Sequence, residues 1–503
     1  MNPTASLTAI AVAFVMCGCT SLAEIRTLHR AGTDFPEINV EDPNPNPNPD
    51  SSAKVWCPSG EKTDANRAYS IEDYKDYWAG FVEFDDEGWL YRKPDEPSQM
   101  EVVQERLKRE LKDPAFSGTD FVVVAFIHGW HHNAHDDDCN VHEFRAMLKI
   151  AQDKYTQLYK EQLQKPPSAQ PPRPRRVVGI YVGWRGESLN IAGVRYTTVF
   201  DRRNAAERVA KGDVRRLFAV IRKAQFEADK TEPERMRTVV LGHSYGGLIA
   251  FHGLSPAVLN ELTLTKPDTD LGCEPAVLRR RLPLRDDRAA TQGAGSRAQA
   301  PTSIPAFPDM LVLINPAFEA TRFEALHELM RPTPGCPYRK ELPKVVVVTA
   351  DNDEATGRIF TFERKVLTLL EAYPTDPRQG SMEREANTHA IGRVDRYRTH
   401  RLCLQEDANG KRAVAARSPP PNPDWDALDP YPPVWVVGAP PNVVYRHDGF
   451  LYAKPDSKAK PDPEQKPAPY LLNWLIALHT DGVGEDSPAM TDKCSPEPPP
   501  AAQ

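Results

Sequence analysis

The stretch Thr238-Val239-Val240-Leu241-Gly242-His243-Ser244-Tyr245-Gly246-Gly247-Leu248-Ile249-Ala250-Phe251 joins a strand-like apolar run to a second apolar run able to open a helix. Between them lies a G-x-S-x-G pattern centred on Ser244. Such a pattern makes a specific physical demand. A serine at the apex of a tight strand-to-helix turn takes backbone angles that side chains ordinarily avoid, and its hydroxyl stands clear of the end of the strand. Flanking glycines remove side chains that would collide at the turn. The helix N-terminus behind it favours negative charge developing nearby. Five-residue patterns recur by chance, so the weight comes from the setting of strand before and helix after. A glycine-rich turn with an incidental serine is the competing reading.

Working outward, the same alternation repeats along the chain. Short, nearly all-apolar runs lie at residues 121–127, 177–182, 238–241, 310–314, 344–349 and 434–437. Helical spacing appears at residues 141–163, through Phe144, Met147, Leu148 and Tyr155, and at residues 214–226, through Val214, Leu217, Phe218 and Ile221. A last helix is expected at residues 468–479. Apolar strands alternating with amphipathic helices predict an α/β fold with a mostly parallel central sheet covered on both faces. In such sheets the residues just beyond the carboxyl ends of the strands carry the chemistry. Residues 81–84 and 89–91 flank Asp85-Asp86-Glu87-Gly88 and read as an N-terminal β-hairpin. The expected organisation is a signal peptide at 1–19, a Pro/Asn-rich linker at 20–60, one domain at 61–482 with insertions near 273–303 and 380–433, and a disordered tail at 483–503.

Several motifs together resemble the α/β-hydrolase superfamily, and within it a group of bacterial esterase-like or lipase-like proteins. They are Phe81-Val82-Glu83-Phe84 with Gly88-Trp89-Leu90-Tyr91, His128-Gly129-Trp130, Tyr181-Val182-Gly183-Trp184-Arg185-Gly186, the segment from Gly242 to Gly247, and Ile314-Asn315-Pro316-Ala317-Phe318. The resemblance spans roughly residues 78–479 and implies the α/β-hydrolase fold and acyl transfer by an activated serine. It implies no substrate.

A triad in the order Ser, acid, His then has few candidates. The fifth run is followed by Asp351, Asn352, Asp353 and Glu354. Asp353 is favoured, because an acid a few residues past the strand can turn back towards the serine. Asp351 is the alternative, and helix capping competes as a role for both. Among His389, His400 and His447, the last stands on the loop between the sixth run and the final helix, from where it can reach the serine. For the oxyanion hole, the resemblance implies the backbone amide of Tyr245, and that of Trp130 on the loop after the first parallel strand. His128 is expected to hold that loop by a backbone hydrogen bond. Arg185 is expected in a salt bridge, or facing an anionic substrate group.

The remaining features bound the function. Lys and Arg total 63 and Asp and Glu 70, a formal charge of −7, which gives no reason to expect nucleic acid. No cofactor is implied. Residues 7–16 form an apolar run too short to span a bilayer, ending at Gly18-Cys19, which resembles a bacterial lipobox. This predicts an exported envelope protein, periplasmic or attached to the membrane through lipid on Cys19. The cysteines at 57, 139, 273, 336, 403 and 494 permit disulfides there without fixing their pairing. His131, His132, His135 and Asp136-Asp137-Asp138 invite a metal reading, although H-E-x-x-H is absent and solvated loop residues explain them better. The leading expectation is a carboxylic-ester hydrolase acting on a small-molecule or lipid ester. A catalytically silent envelope lipoprotein serving as a binding platform, and a metal-dependent hydrolase, are the competing classes.

Overall fold

Long β-branched runs become strands buried on both sides. In the computed structural model, which describes residues 24–28, 69–166, 171–186, 199–265, 307–329, 342–406, 412–417, 432–451, 469–481 and 487–491, ten strands form one sheet. They are β1 (Ile71–Asp73), β2 (Trp78–Glu83), β3 (Asp120–Ile127), β4 (Arg175–Gly183), β5 (Met236–His243), β6 (Met310–Ile314), β7 (Val345–Ala350), β8 (His400–Glu406), β9 (Arg412–Arg417) and β10 (Val434–Ala439). Their order is β1-β2-β4-β3-β5-β6-β7-β10-β8-β9. Only the edge strands run against the rest: β1 pairs antiparallel with β2, and β9 with β8.

The helices are α1 (Gln99–Lys112), α2 (Cys139–Leu163), α3 (Val199–Lys211), α4 (Val214–Thr231), α5 (Tyr245–Thr265), α6 (Glu324–Leu329), α7 (Phe360–Leu367), α8 (Pro377–Thr388) and α9 (Tyr470–Asp481). Side-chain alternation splits each strand between two cores. Phe121, Val123, Ala125 and Ile127 of β3 join α1, α4 and α5 on one face. Val122, Val124 and Phe126 join α2 and α9 on the other. The strand pattern and the helices on both faces are therefore those expected of a mixed α/β protein. No helix among the described residues is long and apolar enough to cross a membrane.

Three expectations need correction. The hairpin at 81–84 and 89–91 is reduced to a single antiparallel bridge, Phe84 to Leu90. The ladder hydrogen bonds of β2 go instead to β1 and, in parallel, to β4. The segment 380–433, read as an insertion, supplies α8, β8 and β9, which extend the sheet. These edge strands begin and end in charged or polar residues around short apolar centres, so they lack the continuous apolar signature of the central ones. Part of the expected tail is also ordered. Met490 bridges Ala416 beside β9, and the Ala489 carbonyl accepts the Trp474 indole N–H at 3.0 Å. The segments 1–19 and 273–303 lie outside the described residues.

Residues 24–28, expected within the linker, are seated in the fold. The Arg26 amide donates to Glu83 at 2.8 Å, and its guanidinium reaches the Glu72 carboxylate at 2.7 Å. Arg145 of α2 grips the same carboxylate, with Nε 2.8 Å from Oε2. All three side chains are buried. Burial works against the Glu72 charge, but the guanidinium of Arg145 and then that of Arg26 outweigh it and lower its pKa to about 2. Removing one partner of a buried ion cluster leaves the others uncompensated. Glu72→Gln is therefore expected to cost about 3–5 kcal/mol of unfolding free energy, read by urea denaturation at neutral pH.

Candidate active site

Strand β5 runs into α5 through Ser244, whose φ is 55°. The turn is fixed from several sides. The Ser244 amide donates to the Ile314 carbonyl at 3.0 Å, and its own carbonyl accepts from Ala317 at 3.1 Å and Gly247 at 3.0 Å. Glycine is required at two approaches. A Cβ on Gly246 would sit 2.1 Å from the Ile127 carbonyl oxygen, and one on Gly129 would sit 2.9 Å from the Ser244 Cβ. The loop after β3 thus presses directly on the serine.

The structure brings three of the candidate residues into one line. Ser244 Oγ lies 2.8 Å from His447 Nε2, and His447 Nδ1 lies 3.0 Å from Asp353 Oδ2. A carboxylate only accepts, so the imidazole holds a proton on Nδ1, and in its neutral form Nε2 accepts from the serine hydroxyl. Asp353 is buried and also accepts from the Ala355 amide at 2.9 Å and the Thr356 hydroxyl. Burial raises its pKa, but His447 and these hydrogen bonds outweigh that and hold it far below the usual carboxylate range. Burial likewise opposes charge on His447, while the Asp353 carboxylate overrides it and raises the pKa to about 9.

The other candidates fall elsewhere. Asp351 pairs with Arg401 of β8 at 2.8 Å. His400 stacks on Trp435 with ring centroids 3.9 Å apart, and His389 bonds to the Glu385 carbonyl at the end of α8. Tyr245 opens α5, so its backbone amide belongs to the first turn of that helix. Trp130 follows Gly129 on the β3 loop. His128 braces that loop: its Nδ1 is 2.9 Å from the Gly129 carbonyl oxygen, and its Nε2 accepts from the Trp184 amide at 3.1 Å. Arg185 faces Asp86 at 3.7 Å. In the 131–138 loop, His132 pairs with Asp138 and His135 with Asp137. Among the described residues, the groups of three or more His, Cys or carboxylate side chains with all ligand atoms within 4.8 Å are His243–His447–Asp448 and Glu324–His327–Glu328, and neither draws on that loop.

Residues that sequence reasoning left without a role hold the triad loops in place. Asn315, with φ 44°, donates from Nδ2 to the carbonyls of Arg446 at 3.0 Å and His447 at 2.8 Å, while its Oδ1 accepts from the Ala350 amide at 2.8 Å. One amide side chain therefore ties the acid turn to the histidine loop. His243 Nε2 lies 2.9 Å from the same His447 carbonyl oxygen. Burial and the neighbouring His447 lower the pKa of His243 to about 3, so it stays neutral and donates from Nε2. Asn352 accepts from the Arg446 amide at 2.8 Å. Arg393 clamps the acid turn by donating to the carbonyls of Ala350 at 2.9 Å and Asp351 at 3.1 Å. The motif Ile314-Asn315-Pro316 carried a signal for Asn315. Arg393 lies in the segment read as an insertion and carried none.

No protein-family model matches this chain, and no curated protein matches it. Among solved structures, phospholipase PlaB from Legionella pneumophila in complex with thio-NAD is similar over 73% of this chain and 60% of its own, at 12% identity and a TM-score of 0.25. The alignment covers less than two thirds of that protein. A likeness of this size decides neither fold family nor chemistry, which rest on the site itself.

The clamp generates one expectation. Asn315→Ala removes both carbonyl contacts to the histidine loop while leaving Ser244, His447 and Asp353 in the chain. Turnover at this site should fall about tenfold to a hundredfold in kcat with little change in KM, since misplacement by an ångström costs about that much. An unchanged kcat would show that the loop is fixed without it.

Proposed function

We propose that this chain is a serine hydrolase of the α/β-hydrolase fold that cleaves a carboxylic ester through an acyl-enzyme. In this reading Ser244 is the nucleophile, His447 the general base and acid, and Asp353 the carboxylate that orients it. The supporting observation is the unbroken relay from Ser244 Oγ at 2.8 Å to His447, and from His447 at 3.0 Å to Asp353, with the serine in a left-handed turn between strand and helix. The order along the chain supports it too, with the serine after β5, the acid after β7 and the histidine after β10.

The chemistry follows from these contacts. His447 Nε2 takes the Ser244 proton as Oγ bonds to the ester carbonyl carbon. Negative charge moves to the former carbonyl oxygen, where the amides of Tyr245 and Trp130 would receive it. Asp353 stabilises the imidazolium. The intermediate collapses, the ester C–O bond breaks, and the alcohol leaves with the proton from His447. Water then gives a proton to His447 and attacks the acyl carbon, releasing the acid and restoring Ser244.

We further propose that the protein is exported and held at the membrane through lipid on Cys19. Cys139 and Cys403 are both disulfide-bonded, a state that suits an oxidising compartment.

Labelling with a fluorophosphonate tests the chemistry. Modification is expected on Ser244, and Ser244→Ala should abolish it while lowering kcat for a short p-nitrophenyl ester by at least about a thousandfold. Equal labelling of the variant would overturn the assignment. The pH dependence gives a second check. Catalysis needs neutral His447, whose pKa is raised to about 9. kcat/KM should therefore climb through the alkaline range and fall as pH drops below that value. Asp353→Asn should shift the profile to lower pH as it lowers the rate. An Asp353→Asn variant with the wild-type rate and pH profile would contradict the His447–Asp353 pairing.

A further inference from the structure

The segment 24–28 is built into the protein from several sides. The amides of Ile25 and Arg26 donate to the two carboxylate oxygens of Glu83, at 3.0 and 2.8 Å, and Gln99 donates to the Arg26 carbonyl at 3.0 Å. The Arg26 guanidinium lies over the Phe81 ring, 3.9 Å from its centroid, and donates from Nε to the Ala134 carbonyl at 2.6 Å. Lys93 pairs with Glu24. The Ser70 amide donates to the Thr27 carbonyl at 2.9 Å, and Thr27 bridges Tyr69. A segment that carries a buried ion pair, as Arg26 does with Glu72, stays bound while the protein stays folded.

This seat lies at the carboxyl edge of the sheet. Glu83 ends β2 opposite Gly183, the last residue of β4, and Ala134 stands on the loop that starts after β3 and presses Gly129 on Ser244. Ile25 meets Glu83 at this edge, whereas Thr27 lies beside Ser70, whose carbonyl accepts from Phe81, two residues back along β2. Residue 24 is thus the end nearer the edge. The order β2-β4-β3-β5 puts Ser244 three strand spacings away along the same edge, about 15 Å. Residues 20–23 alone separate Cys19 from the seated segment. Fully extended, they keep Cys19 within about 18 Å of residue 24. The Pro/Asn stretch at 43–49 adds nothing to that reach, because it lies between Thr27 and Tyr69, which are bridged to each other. The eight residues of β3 span about 26 Å, so a tether of about 18 Å is too short to let the amino edge of the sheet turn to a bilayer that holds lipid on Cys19.

We propose that lipid on Cys19 is a short tether that holds the carboxyl edge of the sheet, and Ser244 with it, facing the bilayer, and that the esters cleaved are lipids of that same bilayer. This rests on the anchor and the ester chemistry proposed above. A tethered site meets its own bilayer at a high effective concentration, which a longer tether dilutes. The experiment uses the full lipidated chain in vesicles of phosphatidylethanolamine and phosphatidylglycerol that carry an acceptor-labelled lipid. A donor dye is placed on His135→Cys, in the loop at the carboxyl edge, or on Lys230→Cys, at the end of α4 by the amino edge; both positions are exposed. Energy transfer from position 135 should exceed that from position 230 by at least about twofold. Inserting about twenty Gly/Ser residues between Ser21 and Leu22 should erase the difference. The insertion should also slow release of fatty acid from the vesicles about tenfold, with hydrolysis of a soluble p-nitrophenyl ester unchanged. The mass of the N-terminal peptide separates the readings. A chain without lipid on Cys19 removes the anchor and this inference together. A lipidated chain whose two labels report equally overturns the orientation alone. Fatty-acid release that is absent, or unchanged by the insertion, overturns the substrate class.

Discussion

The left-handed turn at Ser244 is the constraint from which the rest of the site is organised. A non-glycine residue with φ near 55° is strained, at a cost of about 1–3 kcal/mol. Such a conformation persists only where the surroundings over-determine it. Here the amide and carbonyl of Ser244 are held by the segment after β6, and the loop after β3 closes on it with no room for a side chain at Gly129 or Gly246. The described residues include six non-glycine positions with positive φ, and four of them, His131, Ser244, Asn315 and Arg446, belong to the loops around the site. Strain is concentrated where loops from different strands must converge.

Electrostatics distinguishes two histidines whose rings are only 4.9 Å apart. His243 is buried and His447 is partly exposed, yet only His447 has a buried carboxylate as a partner. His243 is therefore kept neutral and serves the backbone of the histidine loop. His447 is driven towards protonation by Asp353. One proton carrier beside one neutral donor avoids two imidazolium charges in a confined space. The polar atoms of Asn315 and Arg393 support this division by fixing the loops without adding a titrating group next to the serine.

Legibility in the sequence followed physical type. The central strands were readable because a parallel strand covered on both faces is apolar at nearly every position, as Val345–Ala350 is. The turn at Ser244 was readable because its glycines answer a local steric demand. The edge strands β8 and β9 were not, because one side of each is partly exposed and their charged residues resemble a loop. The β2 pairing was misread because a good turn sequence at 85–88 competes with a parallel partner, β4, whose paired residues lie 100 positions away in the chain.

By itself, the sequence determined what local chemistry and periodicity can specify: alternating β and α elements, a serine on a glycine-flanked turn, and acids and histidines placed after strands. Tertiary structure decided which acid and which histidine meet the serine, because Asp353, His447 and Ser244 are separated by about a hundred residues or more and their approach depends on the order of β5, β6, β7 and β10 in the sheet. It also decided that Asp351 turns to Arg401, and that Asn315 links two loops. These choices depend on directions in space, which a linear pattern does not contain.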